Sequence, residues 1–223
     1  MSNKIWLIDV GARGGVDKRW EPFHNMLEAI AFEPDPQECV ALNSIQYPYS
    51  IRFLPVALGA HHGEKATLFV CRQSGCSSLL RPNKELCKNY RYKESMEVIG
   101  EQPIIMSHMG TACGNFQPDV IKIDTQGTEL DILRGSGALL DSALAIELEV
   151  EFVPQYIGQP LFFRRRYIYA PKRFYPAGDT PYLLAGESRI PTSLWGTTHT
   201  RRCTVSTARS DGLPERARDT CRL

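Results

Sequence analysis

The stretch KIWLIDVGARGG, residues 4–15, decides the fold of this chain of 223 residues. Its first seven residues form a short apolar run, which is typical of a buried β-strand. The run ends at Gly11 in a glycine-rich turn, and residues 17–27 then carry apolar side chains at helical spacing. A strand, a tight turn and a helix in this order are the unit from which parallel sheets with helices on both faces are built.

The same alternation of strands and helices continues along the chain. Asp35 is expected to cap a helix with Pro36 at its first position, and Thr128 and Asp131 are spaced like a capping box. We therefore predict an α/β fold with a doubly wound, mostly parallel sheet. The predicted strands are residues 29–32, 51–58, 65–71, 119–123 and 143–149, and the predicted helices are residues 36–45 and 127–140. Residues 84–117 have a mixed pattern that favours a helix followed by a loop.

Composition excludes several classes of protein. With 43% hydrophobic and 23% charged residues, the chain is expected to be globular rather than wholly disordered. The formal net charge of +1 gives no global field for nucleic acid. No apolar stretch approaches the roughly 20 residues of a membrane span, and the N-terminus lacks the pattern of a signal peptide. We expect a cytoplasmic protein whose seven cysteines are reduced thiols, with no metal site.

Residues that end the predicted strands are the first candidates for a binding site, because ligands bind beyond the carboxyl ends of the strands in such sheets. The glycine turn from Gly11 allows backbone amides to approach a ligand closely. Glu33 ends the second strand about 20 residues later, where a carboxylate can bind a ribose diol. The turn lacks the GxGxxG spacing that seats a pyrophosphate, which favours S-adenosylmethionine over a dinucleotide. The alternative is a glycine turn followed by a surface glutamate.

Acidic side chains also follow the later strands. Lys122 and Asp124 flank one apolar residue and so share a face of their strand, either as an ion pair or with Asp124 as a functional carboxylate. Glu147, Glu149 and Glu151 alternate along the next strand and cannot all be buried unpaired. We expect at least Glu149 to face the cleft.

Six blocks of sequence together resemble the FkbM family of S-adenosylmethionine-dependent methyltransferases. They occur in the family's order and cover most of residues 5–162, and the block around KIDTQGTELDILRG is the most specific. One departure is Arg13, where the family usually has Asn. The blocks are IDVGARGG (8–15), AFEPDP (31–36), FLPVALG (53–59), GCSSLL (75–80), DVIKIDTQGTELDILRG (119–135) and IELEVEFVPQYIGQPLF (146–162).

The resemblance implies a role for each candidate residue. On the cofactor side, Asp9, Gly11 and Gly14 would shape the pocket for methionine and ribose, and Glu33 would hold the ribose hydroxyls. Ala57 and Leu58 would lie near the adenine. Asp124, Glu129 and Glu149 would line the acceptor side and carry the catalytic role.

The last part of the chain has a different character. Residues 1–162, the predicted methyltransferase domain, have a net charge of −6, whereas residues 163–223 have a net charge of +7 and contain 11 arginines. Such a segment is typical of a disordered basic tail. Read one base out of register from Leu161, however, back-translated codons can encode LFSDVDTYMRQNGFTL, which matches the family's continuation.

We therefore hypothesise a frameshift after Phe162, which would leave the sheet incomplete at its C-terminal edge. Resequencing the gene across that codon tests the hypothesis, because an undisturbed run in the given frame would remove it.

The predicted activity is methyl transfer to a hydroxyl group by direct displacement at the sulfonium methyl. The resemblance implies a sugar, a glycan or a natural product as acceptor, and the low net charge predicts no nucleic acid partner. One alternative is an inactive remnant that has lost the last elements of the sheet. Another is an NAD-dependent oxidoreductase, against which the missing GxGxxG argues.

Overall fold

A parallel sheet forms the centre of the molecule. The computed structural model describes residues 4–161, 174–176 and 200–207. Five strands lie in the order β3-β2-β1-β7-β8, and every neighbouring pair among them is parallel. They are β1 (Ile5–Val10), β2 (Leu27–Phe32), β3 (Ser50–Leu54), β7 (Val120–Ile123) and β8 (Ala145–Glu151). The predicted doubly wound α/β fold is confirmed.

Side chains on the two faces of this sheet form separate cores. On one face, Ile8, Ile121 and Ile146 pack in the largest cluster with residues of two short helices, 109–113 and 129–134. On the other face, Phe53 packs with Leu42 of the helix that follows β2. The helices are α1 (Pro36–Asn43), α2 (Lys84–Cys87), α3 (Met109–Cys113), α4 (Glu129–Arg134) and α5 (Leu139–Ser142).

A smaller sheet lies beside the main one. It contains β4 (Ala57–Leu58), β6 (Val98–Ser107) and β5 (Lys65–Cys71), in the order β4-β6-β5. The predicted strand 51–58 is thus divided at Pro55 between the two sheets. The prediction of a helix and then a loop for residues 84–117 is wrong over β6. Gly100 and Pro103 lie inside this strand, and both residue types weaken the sequence signal of a strand.

Two predicted helices also differ from the observed ones. Lys18–Met26 is a 3₁₀ helix rather than an α-helix, and it contains Pro22, which has no N–H for an α-helical hydrogen bond. The predicted helix 127–140 is interrupted between α4 and α5, where Gly137 has a positive φ of 57°. The capping box at Thr128 is wrong, because its side chain makes no capping hydrogen bond. The cap at Asp35 is confirmed, with its carboxylate accepting from the Gln37 and Glu38 N–H groups.

The edge of β8 is paired in the structure. Strand β10 (Thr200–Thr207) is antiparallel to β8, and β9 (Phe174–Pro176) is antiparallel to β10. The disordered basic tail that the sequence predicts for residues 163–223 stays a prediction. The other residues of that segment lie outside the described residues, and the frameshift hypothesis stays a prediction.

Two further observations concern the described part of the chain. Within residues 4–161, Cys39, Cys71, Cys76, Cys87 and Cys113 are free thiols. In the same residues, no helix has the length and apolar character that crossing a bilayer requires.

Candidate active site

A cavity of about 260 Å³ opens where β1, β2, β7 and β8 reach their carboxyl ends. This is the edge at which ligands bind in open α/β sheets. Its volume is close to the lower end of the roughly 300–1,000 Å³ that small-molecule sites occupy. Six of the nine residues that the sequence nominates form part of its wall. They are Gly11, Glu33, Ala57, Leu58, Asp124 and Glu149.

Gly11 allows the loops after β1 and β7 to approach each other. Its N–H donates to the Phe32 carbonyl at 2.9 Å, and its φ is 79°, in the left-handed region that favours glycine. A β-carbon at this position would overlap the carbonyl oxygen of Asp124. A side chain here would therefore force apart the loops that carry the two halves of the cavity.

Glu33 lies at the start of the loop after β2 and is 4% exposed. Its Oε1 accepts from the Asp35 N–H at 2.9 Å and from the Arg13 guanidinium at 3.4 Å. Burial raises the pKa of Glu33, while the Asp35 N–H and Arg13 act in the opposite direction. Among the described residues both hydrogen bonds go to Oε1, so Oε2 is available to a ligand hydroxyl.

Ala57 and Leu58 form the apolar part of the wall. Both belong to β4 and are buried, and Phe32 and Val56 lie in the same wall. An apolar surface next to a buried carboxylate suits a ligand with a flat aromatic end and a polyhydroxylated middle.

Asp124 and Glu149 form an acidic pair in the wall of the same cavity. Asp124 follows β7, and Glu149 belongs to the neighbouring strand β8. Burial, and then the nearby Asp124 carboxylate, raise the pKa of Glu149 to about 10. Glu149 therefore holds a proton at neutral pH. Because only one of the two carboxyl groups is then negatively charged, the electrostatic repulsion between them is reduced.

Glu129 lies beneath this pair and is not part of the cavity wall. It is fully buried, and its Oε1 accepts from the Thr125 N–H at 3.1 Å and from the Gly127 N–H at 2.9 Å. Its carboxylate therefore holds the loop between β7 and α4 in shape. The catalytic role that the resemblance implies for Glu129 stays a prediction.

Asp9 and Gly14 also lie outside the wall. The Asp9 carboxylate is 1% exposed and forms an ion pair with Lys122, whose Nζ is 2.9 Å from Oδ1. Burial raises the pKa of Asp9, and Lys122 acts to lower it. The structure pairs Lys122 with Asp9, which lies opposite it on β1, whereas the sequence offered Asp124 as its partner. Gly14 donates its N–H to Glu38 Oε1 at 3.0 Å.

Comparison with protein families decides the assignment of the chain. The model of the FkbM methyltransferase domain matches residues 9–172, a range that contains the whole wall of the cavity. The chain belongs to the FkbM methyltransferase family. No curated protein and no solved structure gives a significant match to it.

Two residues of this FkbM domain enter the site without having been nominated from the sequence. The Arg13 guanidinium bridges Glu33 and Asp35, with NH2 3.2 Å from Asp35 Oδ2. Gln126 lies in the wall and contacts both members of the acidic pair. Its sequence signal is weak, since a Gln-Gly step after a strand indicates only a turn.

Three carboxylates of the FkbM domain are grouped closely. Oxygens of Glu129, Glu149 and Glu151 lie within 4.8 Å of one another, a separation that a divalent cation could bridge. We assign no metal here, because loop N–H groups already occupy Glu129 Oε1. The expectation of a metal-free site stays a prediction.

Proposed function

We propose that this FkbM protein transfers a methyl group from S-adenosylmethionine to a hydroxyl of a sugar, a glycan or a natural product. The observation that carries the proposal is the order of the polar groups along the edge of the sheet. Glu33 follows β2, whereas Asp124 follows β7 and Glu149 belongs to β8, beyond β1 in the strand order, and Ala57 and Leu58 of β4 add an apolar surface to the same wall. A cofactor with a ribose and an adenine suits Glu33 and the apolar surface, which we call the cofactor side, and a hydroxyl acceptor suits the acidic pair, which we call the acceptor side.

On the cofactor side, Glu33 would bind the ribose hydroxyls through its available Oε2, in charge-assisted hydrogen bonds. Ala57 and Leu58 would pack against the adenine, because their buried side chains offer an apolar surface. When bound, S-adenosylmethionine supplies an electrophilic methyl group. Gly11 keeps the loop from β1 close enough to Asp124 for both sides to contact one ligand.

On the acceptor side, Asp124 would accept the proton of the attacking hydroxyl or orient its lone pair. Such a general base contributes roughly 10²–10⁴-fold to the rate. Glu149 would remain protonated, because burial and Asp124 raise its pKa to about 10. It would therefore leave Asp124 as the one basic carboxylate of the pair.

The charge of the acceptor side supports a neutral acceptor. Ser77 lies in the wall with the acidic pair, and its hydroxyl, which accepts from the Cys71 N–H, can still donate to a polyhydroxylated molecule. A phosphate or carboxylate on the acceptor would meet Asp124 at close range, which costs binding free energy. Neutral sugars are accordingly the first acceptors to test.

Calorimetric titration tests the cofactor half of the proposal. We expect binding of S-adenosylmethionine and of S-adenosylhomocysteine, and no binding of NAD. Transfer of label from methyl-labelled S-adenosylmethionine to a panel of neutral sugars, with their phosphorylated forms as matched controls, tests the acceptor half. Binding of NAD in preference to both sulfur compounds would contradict the proposal.

A further inference from the structure

The backbone of Gln126 has an unusual conformation. Its φ of 59° lies in the left-handed region, and among the described residues no other non-glycine residue has a positive φ. Residues held in this region cluster at functional sites, where surrounding contacts maintain them. The loop in which it lies connects β7 to α4 at the edge of the cavity.

Two residues from distant parts of the chain hold Gln126 in place. Ser78 donates its hydroxyl to the Gln126 carbonyl at 2.8 Å. The Tyr156 hydroxyl lies 3.2 Å from Gln126 Oε1 and 2.8 Å from the Cys76 carbonyl. Tyr156 is 1% exposed, and burial raises its pKa, so the hydroxyl keeps its proton. Backbone and side chain are thus fixed independently.

The side-chain amide of Gln126 then reaches both acidic residues. Its Nε2 donates to Asp124 Oδ1 at 3.1 Å and to Glu149 Oε2 at 2.6 Å. An amide nitrogen carries two N–H groups, and this arrangement gives each of them a carboxyl oxygen as acceptor. With Oε1 turned towards Tyr156, the donor and acceptor ends of the amide are both satisfied.

We propose that Gln126 is a positioning residue of the acceptor side, which holds the carboxyl groups of Asp124 and Glu149 in a fixed relative orientation through its two side-chain N–H groups. Its donors stabilise negative charge on the pair, which would otherwise lie in a buried, acidic environment. The link to methyl transfer rests on the function proposed above, but the position of Gln126 does not. The experiment below therefore needs neither cofactor nor acceptor.

The Gln126→Gly variant gives a clean test, because glycine adopts a positive φ without strain while removing the amide. The readout is a pH titration of the side-chain carboxyl carbons of Asp124 and Glu149, followed by carbon-13 NMR. Other titratable groups near Glu149 are Glu129, Glu151, Cys76 and Tyr156, and all of them remain in the variant.

Loss of the two N–H donors should move the titration of the pair to higher pH by on the order of one unit. Tyr156→Phe leaves the amide in place but removes its anchor, so we expect a smaller shift in the same direction. Gln46→Gly, at an exposed position, is the matched control and should shift nothing.

Circular dichroism establishes that each variant is folded, and Tyr156→Phe decides the matter if Gln126→Gly does not fold. Unchanged titration in the folded variants would overturn the proposal and make Gln126 a loop residue only. If the titration shifts but S-adenosylmethionine does not bind, the positioning role holds and the proposed function fails.

Discussion

Two neighbouring residues of the β7 region take part in opposite kinds of buried pair. Lys122 extends towards β1, where its ammonium lies 2.9 Å from the Asp9 carboxylate. Asp124, two residues later, lies instead beside the Glu149 carboxyl of β8. The first pair joins opposite charges beneath the cavity wall, and the second joins two acids within the wall.

We infer that the Asp9–Lys122 pair contributes to the stability of the fold and that the Asp124–Glu149 pair contributes to its chemistry. Asp9 has its charge compensated by a cation, as a structural carboxylate in a sheet must. The Asp124–Glu149 pair holds a proton because burial, and then the Asp124 carboxylate, raise the pKa of Glu149, and perturbed groups of this kind cluster at functional sites. We therefore expect substitutions in the first pair to change folding and substitutions in the second to change turnover.

The largest expected effect is on turnover. Asp124→Asn keeps the shape of the side chain but removes its charge and basicity, so we expect methyl transfer to fall by roughly 10²–10⁴-fold. Affinity for S-adenosylmethionine should stay within a few-fold of the wild type by calorimetry. The exposed Asp141→Asn variant is the control. Normal turnover in Asp124→Asn would make Asp124 a structural residue.

The next effect is on stability. Lys122→Met leaves the Asp9 carboxylate buried without its cation, which typically costs about 3–5 kcal/mol of the free energy of unfolding. Lys4→Met breaks an ion pair that is partly exposed to water, with Glu28 at 3.0 Å, and should cost at most about 1 kcal/mol. Urea unfolding measures both. Equal costs would show that the Asp9–Lys122 pair is no more important than a surface pair.

Much of this site could be predicted from the sequence, because its residues follow the ends of apolar strands. Gly11, Glu33 and Asp124 each lie at such a point, and all three enter the wall of one cavity. The partner of Lys122 could not be predicted, since Asp124 is nearer in sequence and Asp9 becomes its neighbour only through the parallel pairing of β1 with β7. The bridging role of Gln126 likewise depends on contacts with residues 30 and 48 positions away.

The fold could likewise be predicted only in part from the sequence. The strands of the parallel sheet are buried on both faces and are read easily from their apolar runs. Strand β6 alternates between half-buried and exposed positions and contains Pro103, so its pairing with β5 outweighs a weak local preference. Helices α4 and α5 are short because glycines interrupt a helical pattern that continues in the apolar residues.

A further expected effect concerns the pH dependence of stability. The pKa of Glu149 is raised in the folded state to about 10 from 4.5, chiefly by burial. Its contribution to stability is therefore complete below about pH 4.5 and is lost as the pH rises towards 10, by at most about 1.4 kcal/mol per pH unit. Glu149→Gln, which resembles the protonated acid, should flatten this dependence in urea unfolding at several pH values. An unchanged slope would show that Glu149 does not hold the proton.

The central claim is that the cavity binds S-adenosylmethionine through Glu33, and the dissociation constant of Glu33→Ala tests it most directly. Glu28→Ala is the matched control, because Glu28 lies near the other end of β2, beside Lys4 and away from the cavity. Loss of charge-assisted hydrogen bonds to the ribose should weaken binding more than tenfold in Glu33→Ala, with Glu28→Ala unchanged. Equal affinities in the wild type and a folded Glu33→Ala variant would contradict the account.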